Sequence, residues 1–451
     1  MTLLAFSIRR FFMADKYNRW YRVVPSILPV NNTPVTVTIH PQQTHIAKIL
    51  NKDFALKVTR TGAVITNNVD ETMANTPDTP YIRNENGDII FEMTAEREGE
   101  YSLMLYEKNP DGTLGKWESF QVYALEKDLF ELNPYKGDFH MHSFCSDGYE
   151  SPAYVAASCR MHGMDFMALT DHKQYAPSLE AKKAMEEFDC DMQVFPGEEV
   201  HLPGNPTHIV NFGGSGSVND LAYGDLDKFN REVSEYMAKL PDYGDEVTNF
   251  EVAASEWSFD KIREYSGVAL FCHPYWRPVA HNYVGEDVVD AIYERAKFDA
   301  VEVFGGFDRP ELEFNMYSMV RFYEERAKGN RLSPVGVSDA HGSDERLAGW
   351  YYTIVFTGDL SFSNIAQAIR EGKCVAVQDI PGAAPIAAGD FRLVKYACFL
   401  LREFYPQHDD ICRIEGEIMR RALAGLDPDA KRSIAAKKGT VAAYIASSKA
   451  L

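Results

Sequence analysis

The sequence predicts an α/β fold, in which a (β/α) barrel is preceded by a β-sandwich-like domain and followed by a helical tail. Three observations support this prediction. Short alternating segments separated by turn signals fill the first third of the chain, apolar runs alternate with helical segments in the middle, and the end is helical. The predicted parts are an N-terminal extension over 1–20, the sandwich over 21–133, the barrel over 134–389 and the helical segment over 390–451.

The predicted strands of the N-terminal domain alternate β-branched or aromatic residues with others. The first is TPVTVTIHP (33–41), and AVITNNV, DIIFEMTA, GEYSLMLYEK and ESFQVYAL follow, with turn signals such as RTG, ENGD and NPDG between them. Short strands at roughly ten-residue spacing are typical of a β-sandwich. Residues of catalytic type do not cluster in this part of the sequence, so we place no site there.

Helix signals recur through the middle and the end of the chain. In SPAYVAASCRMHG, Ser151 is a suitable N-cap, Pro152 suits the first turn and Gly163 suits the position after the helix. Apolar residues at helical spacing predict two further helices, over 286–297 and 310–329. The tail segments FRLVKYACFLLREFY, DDICRIEGEIMRRALAG and DAKRSIAAKKGTVAAYIASS are helical in pattern as well.

Composition narrows the class of protein. The 451 residues are 45% hydrophobic and 25% charged, which is typical of a globular chain of two or three domains. A net charge of −20 disfavours strong binding to nucleic acid, although it does not exclude a small anionic substrate. The seven cysteines form no CxxC pair, which favours reduced thiols in a cytoplasmic protein. No apolar run reaches the ~18 residues of a membrane span, so we expect no membrane segment.

Residues of types that can ligate metals lie at or near the ends of most of the apolar runs in the middle of the chain. They are His140 and His142 in GDFHMH, Asp171 and His172 in DFMALTDH, Glu198 and Glu199 in MQVFPGEEV, His208 in THIVNFGG, His273 in VALFCHPYW, Glu302 in AVEVFGG, and Asp339 and His341 in LSPVGVSDAHG. A (β/α) barrel gathers the C-terminal ends of its strands at one face. We therefore expect these side chains to meet there.

The spacing within two of these runs supports a shared metal site. On a strand, residues two apart point to the same face, so His140 and His142 would face one way and Met141 the other, and Asp339 and His341 would also share a face. Imidazole and carboxylate together suit Zn, Mn or Fe(II). Alone, HMH is equally consistent with a polar strand end, and the other runs favour the metal site.

So many ligand side chains exceed the capacity of one ion. Two or three metals that share a bridging carboxylate or hydroxide would use them all, and such clusters activate water and hold both the attacking and the leaving oxygen. The sequence therefore predicts metal-assisted hydrolysis without a nucleophilic side chain.

Six motifs within 138–341, taken together and in this order, resemble the PHP superfamily of polymerase and histidinol phosphatase domains: HMHSFCSDG, LTDH, PGEEV, HIVNFG, CHP and SDAH. The resemblance implies a distorted seven-stranded (β/α) barrel, a trinuclear centre of Mn, Fe or Zn, and phosphoester hydrolysis. The ligands that it implies are His140, His142, Asp147, His172, Glu199, His208, His273, Asp339 and His341.

The resemblance also implies roles for individual residues. Glu199 fits the family pattern PG-x-E better than Glu198 does, and it would bridge the metals. Asp171 would orient a ligand through a hydrogen bond without binding metal itself. The residue after EV is often Ser or Thr in the family, whereas this chain has His201 there. Two alternatives stay open, since His208 could be an ordinary strand histidine and Asp147 could merely form a turn with Gly148.

The substrate is open at this stage. A β domain ahead of the barrel and helices behind it are similar to the branch that includes carbaryl-type carbamate hydrolases, so a carboxylic ester, a carbamate or an amide is an alternative to a phosphoester. A phosphoester substrate needs cations at the mouth, and the candidates are Arg277, Arg309, Arg346 and Lys173. A non-catalytic, metal-stabilised scaffold is a third possibility. The expected partner is a small-molecule ester.

Overall fold

The structure is a computed structural model that describes residues 20–42, 44–63, 75–343 and 347–450. Most of the predicted N-terminal extension, nearly all of the AVITNNV segment and the candidate Arg346 lie outside the described residues. The chain divides into two compact units. The first unit comprises the residues up to Asn133 together with Lys395–His408 and the chain from Thr440, and the second comprises Pro134–Val394 and Asp409–Gly439.

The first unit contains two four-stranded sheets. One has the order β1 (Tyr21–Val24), β3 (Val35–Pro41), β6 (Ile89–Met93) and β5 (Tyr81–Arg83), with all neighbours antiparallel. The other has the order β2 (Ile27–Pro29), β8 (Leu114–Leu125), β7 (Gly99–Lys108) and β4 (Phe54–Arg60), and only the β2–β8 pair is parallel.

Alternation of buried and exposed residues explains why these segments are strands. Val37 and Ile39 of β3, Phe91 of β6 and Leu103 and Leu105 of β7 are buried, while their chain neighbours are less so. All five belong to one hydrophobic cluster to which both sheets contribute. Two short helices, α1 (Thr44–Leu50) and α2 (Lys127–Phe130), complete the N-terminal part of the unit.

The second unit is a mixed α/β structure with two sheets. Its six-stranded sheet has the order β11 (Gln193–Phe195), β10 (Phe166–Ala168), β9 (Asn133–Asp138), β17 (Tyr351–Thr357), β18 (Cys374–Gln378) and β19 (Ile386–Gly389). Its five-stranded sheet has the order β12 (Gly197–His201), β13 (His208–Phe212), β14 (Val268–Phe271), β15 (Ala300–Phe304) and β16 (Pro334–Gly336).

Single backbone bridges connect the two sheets at one edge. His172 pairs with Glu199, and Met141 pairs with Ala340. The Glu199 amide donates to Thr170 at 3.1 Å, and the His142 amide donates to Ala340 at 2.9 Å. Within the described residues the strands do not form one closed barrel, so the finding here is two sheets joined at the edge where the predicted ligands lie.

Two local features depart from the predicted strand pattern. MQVFPGEEV forms two strands in different sheets, β11 and β12, because Pro196 interrupts the run and lacks an amide to donate. A side chain at Gly197 would begin 3.0 Å from Thr170 and 3.1 Å from a backbone oxygen, so glycine allows this close approach. The strands β17 to β19 lie within the predicted barrel range 134–389 but were not among its seven predicted strands, and β17 and β18 are buried throughout, without alternation.

Helices lie between many of these strands along the chain. The predicted helices are found as α3 (Pro152–Met161), α8 (Glu286–Arg295) and α9 (Leu312–Ala327), and Ser151 caps the first by accepting from the Tyr154 amide. The others are α4 (Ala176–Phe188), α5 (Val218–Gly224), α6 (Leu226–Met237), α7 (Glu246–Glu264) and α10 (Phe362–Arg370).

The predicted helical C-terminal end is confirmed. It contains α11 (Phe391–Glu403), α12 (Tyr405–Leu423), α13 (Ala430–Ala435) and α14 (Thr440–Ser448), and its residues divide between the two units. In the part of the chain that the structure describes, no helix is both long enough and apolar enough to cross a membrane.

Candidate metal centre

The HMH motif follows the end of β9, with Phe139 between the strand and His140. The strand was predicted to extend through both histidines, but its ladder ends at Asp138 and only Met141 makes a further bridge. That bridge is sufficient to keep His140 and His142 on one side, with their ring centroids 5.4 Å apart. Both imidazoles are buried, and Phe139 packs on Phe166 and Phe212 in the core beneath them.

His208 reaches the same edge by a different route from the one predicted. It is the first residue of β13, and β13 runs antiparallel to β12 and β14. The start of β13 therefore lies beside the end of β12, where His208 pairs with His201. The prediction that ligands follow the C-terminal ends of strands is wrong for this residue, because its strand runs in the opposite direction.

The Glu199 carboxylate lies at the centre of the cluster. It is fully buried, and six imidazole nitrogens lie within 3.6 Å of it. The neighbours of Oε1 are His208 at 2.8 Å and His273 at 3.5 Å, and those of Oε2 are His172 at 2.6 Å, His142 and His201 at 3.5 Å, and His140 at 3.6 Å.

These short contacts do not have the angles of hydrogen bonds. Neither oxygen of Glu199 and neither ring nitrogen of His208 has a hydrogen-bond partner among the described residues, although all four atoms are buried. Buried polar atoms are usually hydrogen-bonded, so these four atoms require an explanation. A metal ion bound between them would provide one. Two ligands of one tetrahedral zinc ion at ~2.1 Å lie roughly 3.4 Å apart, which is close to the spacing seen here.

Asp339, Asp147 and His341 complete the predicted set. Asp339 Oδ1 lies 2.9 Å from His142 Nε2 and 3.3 Å from His140 Nε2. The Asp147 carboxylate lies 3.3 Å from Nε2 of both His172 and His341, so it faces the cluster rather than only forming a turn.

The structure therefore brings all nine predicted ligands to one edge. Three overlapping groups have ligand atoms within 4.8 Å of one another: His142, Asp147, His172 and His341; His140, His273 and Asp339; and His140, His142 and Glu199. Their nitrogen and oxygen donors are those that Zn, Mn or Fe(II) prefer, so the residues present fit the predicted metals.

Strained backbone coincides with the cluster. Seven non-glycine residues of the described chain have a positive φ, and three of them are at this site: Lys173 at 59°, His273 at 21° and Asp339 at 49°. Such conformations cost about 1–3 kcal/mol each and persist where the surrounding structure imposes them. At His273 and Asp339 the unusual backbone belongs to predicted ligands themselves.

Electrostatics hold Glu199, Asp339 and His208 in forms that bind metal, whereas at His140, His172 and His273 the neighbouring carboxylates outweigh burial and raise the pKa of the imidazole. Burial raises the pKa of the Glu199 carboxyl, but the imidazoles of His208 and His140 outweigh it and hold that pKa well below its ordinary value. Burial also opposes ionisation of Asp339, yet His140 and His142 lower its pKa strongly. Burial lowers the pKa of His208 to about 4, so that imidazole is neutral near pH 7. Ionised carboxylates and neutral imidazoles are the forms that ligate metals.

Buried carboxylates support the cluster from behind. Asp171 accepts hydrogen bonds from the Ser143 amide at 2.8 Å and from the Ser146 hydroxyl at 2.6 Å, and that hydroxyl lies 3.5 Å from His142 Nδ1. Asp171 is thus placed to orient His142 through Ser146. Glu302 Oε2 lies 3.3 Å from His140 Nδ1, which directs the other nitrogen of that ring toward Glu199 and Asp339.

Glu198 is separated from the imidazoles. Its carboxylate accepts hydrogen bonds from the Ser217 hydroxyl at 2.7 Å and from the Val218 amide at 2.5 Å, at the start of α5. The choice of Glu199 as the central carboxylate therefore agrees with the geometry. Glu302, His201 and Cys272 lie against the cluster and were not among the predicted ligands, although each lies in or beside one of the runs that supply ligands.

The proposed substrate cations have partners of their own. The Arg277 guanidinium packs over the rings of Phe314 and Tyr317, and its Nε donates to Asn282 at 2.5 Å. Arg309 donates to the carbonyl of Pro381 and packs on Trp350. Lys173 lies 5.5 Å from the ring of Tyr223.

Aromatic side chains flank one side of the cluster. The rings of Trp276 and Tyr283 lie 6.1 Å and 5.1 Å from the ring of His208, and 4.7 Å from each other. Tyr283 is partly exposed. They form an apolar wall next to predicted ligands.

Comparison with known proteins finds similarity to parts of this chain. No family model matches the chain. A stretch of 58 residues, 13% of the chain, is 43% identical to the DNA polymerase/3′-5′ exonuclease PolX of Bacillus subtilis and spans about a tenth of that protein.

Two solved structures are similar to parts of the chain. A two-domain protein of Bacteroides vulgatus containing a predicted PHP-like metal-dependent phosphoesterase is 18% identical, with a TM-score of 0.38, over 55% of this chain and 66% of that chain. An amidohydrolase from Chromobacterium violaceum, with bound sulfate and no metal, is 18% identical, with a TM-score of 0.32, over 46% of this chain and 87% of that chain. These names agree with the resemblance to the PHP superfamily, and no branch is singled out. The geometry of the ligands, rather than these likenesses, indicates the function.

Proposed function

We propose that the protein is a metal-dependent hydrolase that cleaves phosphoesters. The observation that carries this proposal is the division of six imidazole nitrogens between the two oxygens of buried Glu199. A carboxylate with histidines gathered at both oxygens is arranged to bridge two cations. We also propose that β9, β10 and β12 to β16 are the seven strands of a distorted barrel. The two sheets of the first unit would be a β-sandwich.

The nine predicted ligands would hold two or three divalent ions of Mn, Fe or Zn. When bound, such ions supply a Lewis acid and a nucleophile that is active near neutral pH. The chain supplies the rest. Glu302 and Asp171 fix the orientation of His140 and His142, and the buried walls exclude water from the inner ligands.

Hydrolysis of model esters by metal-loaded protein tests this function. We expect protein reconstituted with Mn²⁺ or Zn²⁺ to cleave p-nitrophenyl phosphate or bis-p-nitrophenyl phosphate, and chelator to abolish the activity. Asp339→Asn should lose at least 100-fold in kcat, because it removes charge next to two predicted ligands. Metal-loaded protein that cleaves neither these phosphoesters nor p-nitrophenyl acetate would contradict the proposal and favour a scaffold.

A carboxylic ester or carbamate hydrolase is the second candidate. The aromatic wall of Trp276 and Tyr283 favours it, since this wall suits an apolar group of an uncharged ester. The phosphoester proposal requires a cation for the substrate, and Arg277 on the loop that follows His273 is the candidate.

Arg277→Ala distinguishes the two candidates, with Arg432→Ala as a control for the loss of one surface charge, because Arg432 is 82% exposed and is not a candidate for substrate binding. For a phosphoesterase, we expect Arg277→Ala to raise KM for bis-p-nitrophenyl phosphate by about tenfold or more, in line with a lost charge-assisted hydrogen bond of about 1.5–3 kcal/mol. For an ester hydrolase, activity on p-nitrophenyl acetate should exceed that on phosphoesters, and Arg277→Ala should leave it unchanged.

A further inference from the structure

His201 lies at the rim of the cluster, in a position that the predicted ligand set does not include. It is the last residue of β12, two residues after Glu199, so the two side chains share a face of the strand. His201 is 19% exposed at its side chain, and its ring stacks on His208 with centroids 3.9 Å apart.

Three ligand-type atoms form a tight triangle there. His201 Nε2 lies 2.9 Å from His172 Nδ1 and 3.5 Å from Glu199 Oε2, and His172 Nδ1 lies 2.6 Å from that same oxygen. A ring nitrogen has either one proton or one lone pair, so His172 Nδ1 cannot make full hydrogen bonds to both neighbours. One cation between the three atoms would satisfy them together; one separation is close to the roughly 3.4 Å expected for two ligands of a tetrahedral ion, and the other two are shorter.

Hydrogen bonds with Asn219 hold the backbone at His201 in place. The side chain of Asn219 accepts from the His201 amide at 3.0 Å, and it donates to the carbonyl of Glu199 at 3.1 Å and to the Glu198 carboxylate at 2.9 Å. Asn219 therefore fixes the end of β12 and, with it, the distance between His201 and Glu199.

We infer that His201 is an additional metal ligand, which binds one ion together with His172 and Glu199. This inference rests on the proposed metal centre. The ion would have Glu199 as its one carboxylate among these three ligands, and the side chains of His201 and His172 are 19% and 23% exposed.

Metal content and the spectrum of cobalt-substituted protein test the inference without an activity assay. The variants are His201→Ala and His201→Gln, and His281→Ala is the control because His281 is exposed and belongs to none of the close contacts of the cluster. Glutamine keeps a group that can hydrogen bond to His172 but is a poor ligand for these metals. Thermal unfolding in chelator checks that each variant is folded.

We expect both His201 variants to bind one equivalent of Mn²⁺ or Co²⁺ at least about tenfold less tightly than wild type, and to lose part of the visible Co²⁺ absorption. His281→Ala should match wild type. Unchanged metal affinity and spectrum in both variants would overturn the inference alone, as would recovery of wild-type binding by His201→Gln, since this recovery would make His201 a hydrogen-bond partner. Wild-type protein that binds no metal would overturn the proposed function and this inference together.

Discussion

Replacing Glu199 with glutamine preserves the size of the side chain and removes its charge, so it tests directly whether this carboxylate bridges cations. Six imidazole nitrogens lie within 3.6 Å of it. Loss of a residue that merely hydrogen bonds to a ligand weakens metal binding by about 10–100-fold. Loss of the shared ligand itself should therefore weaken binding by more than about 100-fold.

A 100-fold change in affinity corresponds to about 2.7 kcal/mol of metal-linked stability at saturating metal. In a unit of this size, that should lower the melting temperature of the metal-loaded protein by at least about 5 °C. We expect Glu199→Gln to retain at least one equivalent of Mn²⁺ less than wild type by mass spectrometry, and its melting temperature to fall less on addition of chelator.

Glu198→Gln is the matched control, because both side chains are fully buried on the same strand. The hydrogen bonds of Glu198 go to the start of α5 and its neighbours. This variant should lose about 1–3 kcal/mol of stability through those bonds, while its metal content and chelator response remain those of wild type. Full metal content in Glu199→Gln, or equal metal loss in both variants, would refute the bridging role.

Three further predictions concern residues around the centre. Glu302→Gln should weaken metal binding by about 10–100-fold, because it loosens His140, and unchanged binding in a metal titration would contradict this. Burial raises the pKa of Asp138 to about 7 from 3.8, so its contribution to stability is present below pH 3.8 and lost as the pH rises through 7. In denaturant unfolding without metal, the free energy of unfolding of Asp138→Asn relative to that of wild type should therefore rise by up to about 4 kcal/mol between pH 4 and pH 8. A difference between the two proteins that does not change with pH would contradict this prediction. Arg160→Met should lower the free energy of unfolding by about 3–5 kcal/mol, because it leaves the buried Glu415 carboxylate without the two hydrogen bonds that Arg160 donates at 2.8 and 2.7 Å. The metal content of this variant should stay that of wild type.

The motifs that place ligands two residues apart were the most predictable part of the site. Parity along an extended chain places His140 and His142 on one side, and both approach Asp339 Oδ1 although the ladder of β9 ends at Asp138. The same expectation for Asp339 and His341 assumed an extended backbone, whereas Asp339 has a φ of 49°, and both residues nevertheless approach His142.

The direction of the strand that contains His208 could not be predicted from the sequence. The run that contains His208 has no feature that distinguishes a parallel from an antiparallel strand, so its ligand was assigned to the wrong end of the strand. The break of MQVFPGEEV into two strands was signalled by Pro196 and Gly197. However, the crowding of Gly197 against Thr170 becomes visible only in three dimensions.

The directions of long side chains were also unpredictable. Arg277 stays a candidate cation for the substrate because it closely follows His273, but the sequence did not show that its guanidinium packs on Phe314 and Tyr317, about forty positions further along the chain. Glu302 lies in the middle of β15 rather than at its end, and only the position of the strand in the sheet brings it to His140.

The central claim is that these side chains form a centre for two or three metal ions, and counting the ions per chain tests it most directly. The protein should be reconstituted with Mn²⁺ or Zn²⁺, freed of loose metal by gel filtration, and measured by mass spectrometry beside Glu199→Gln. We expect two or three equivalents in wild type and at least one fewer in the variant. Wild-type protein that retains less than one equivalent, or a variant that retains as much as wild type, would contradict the claim.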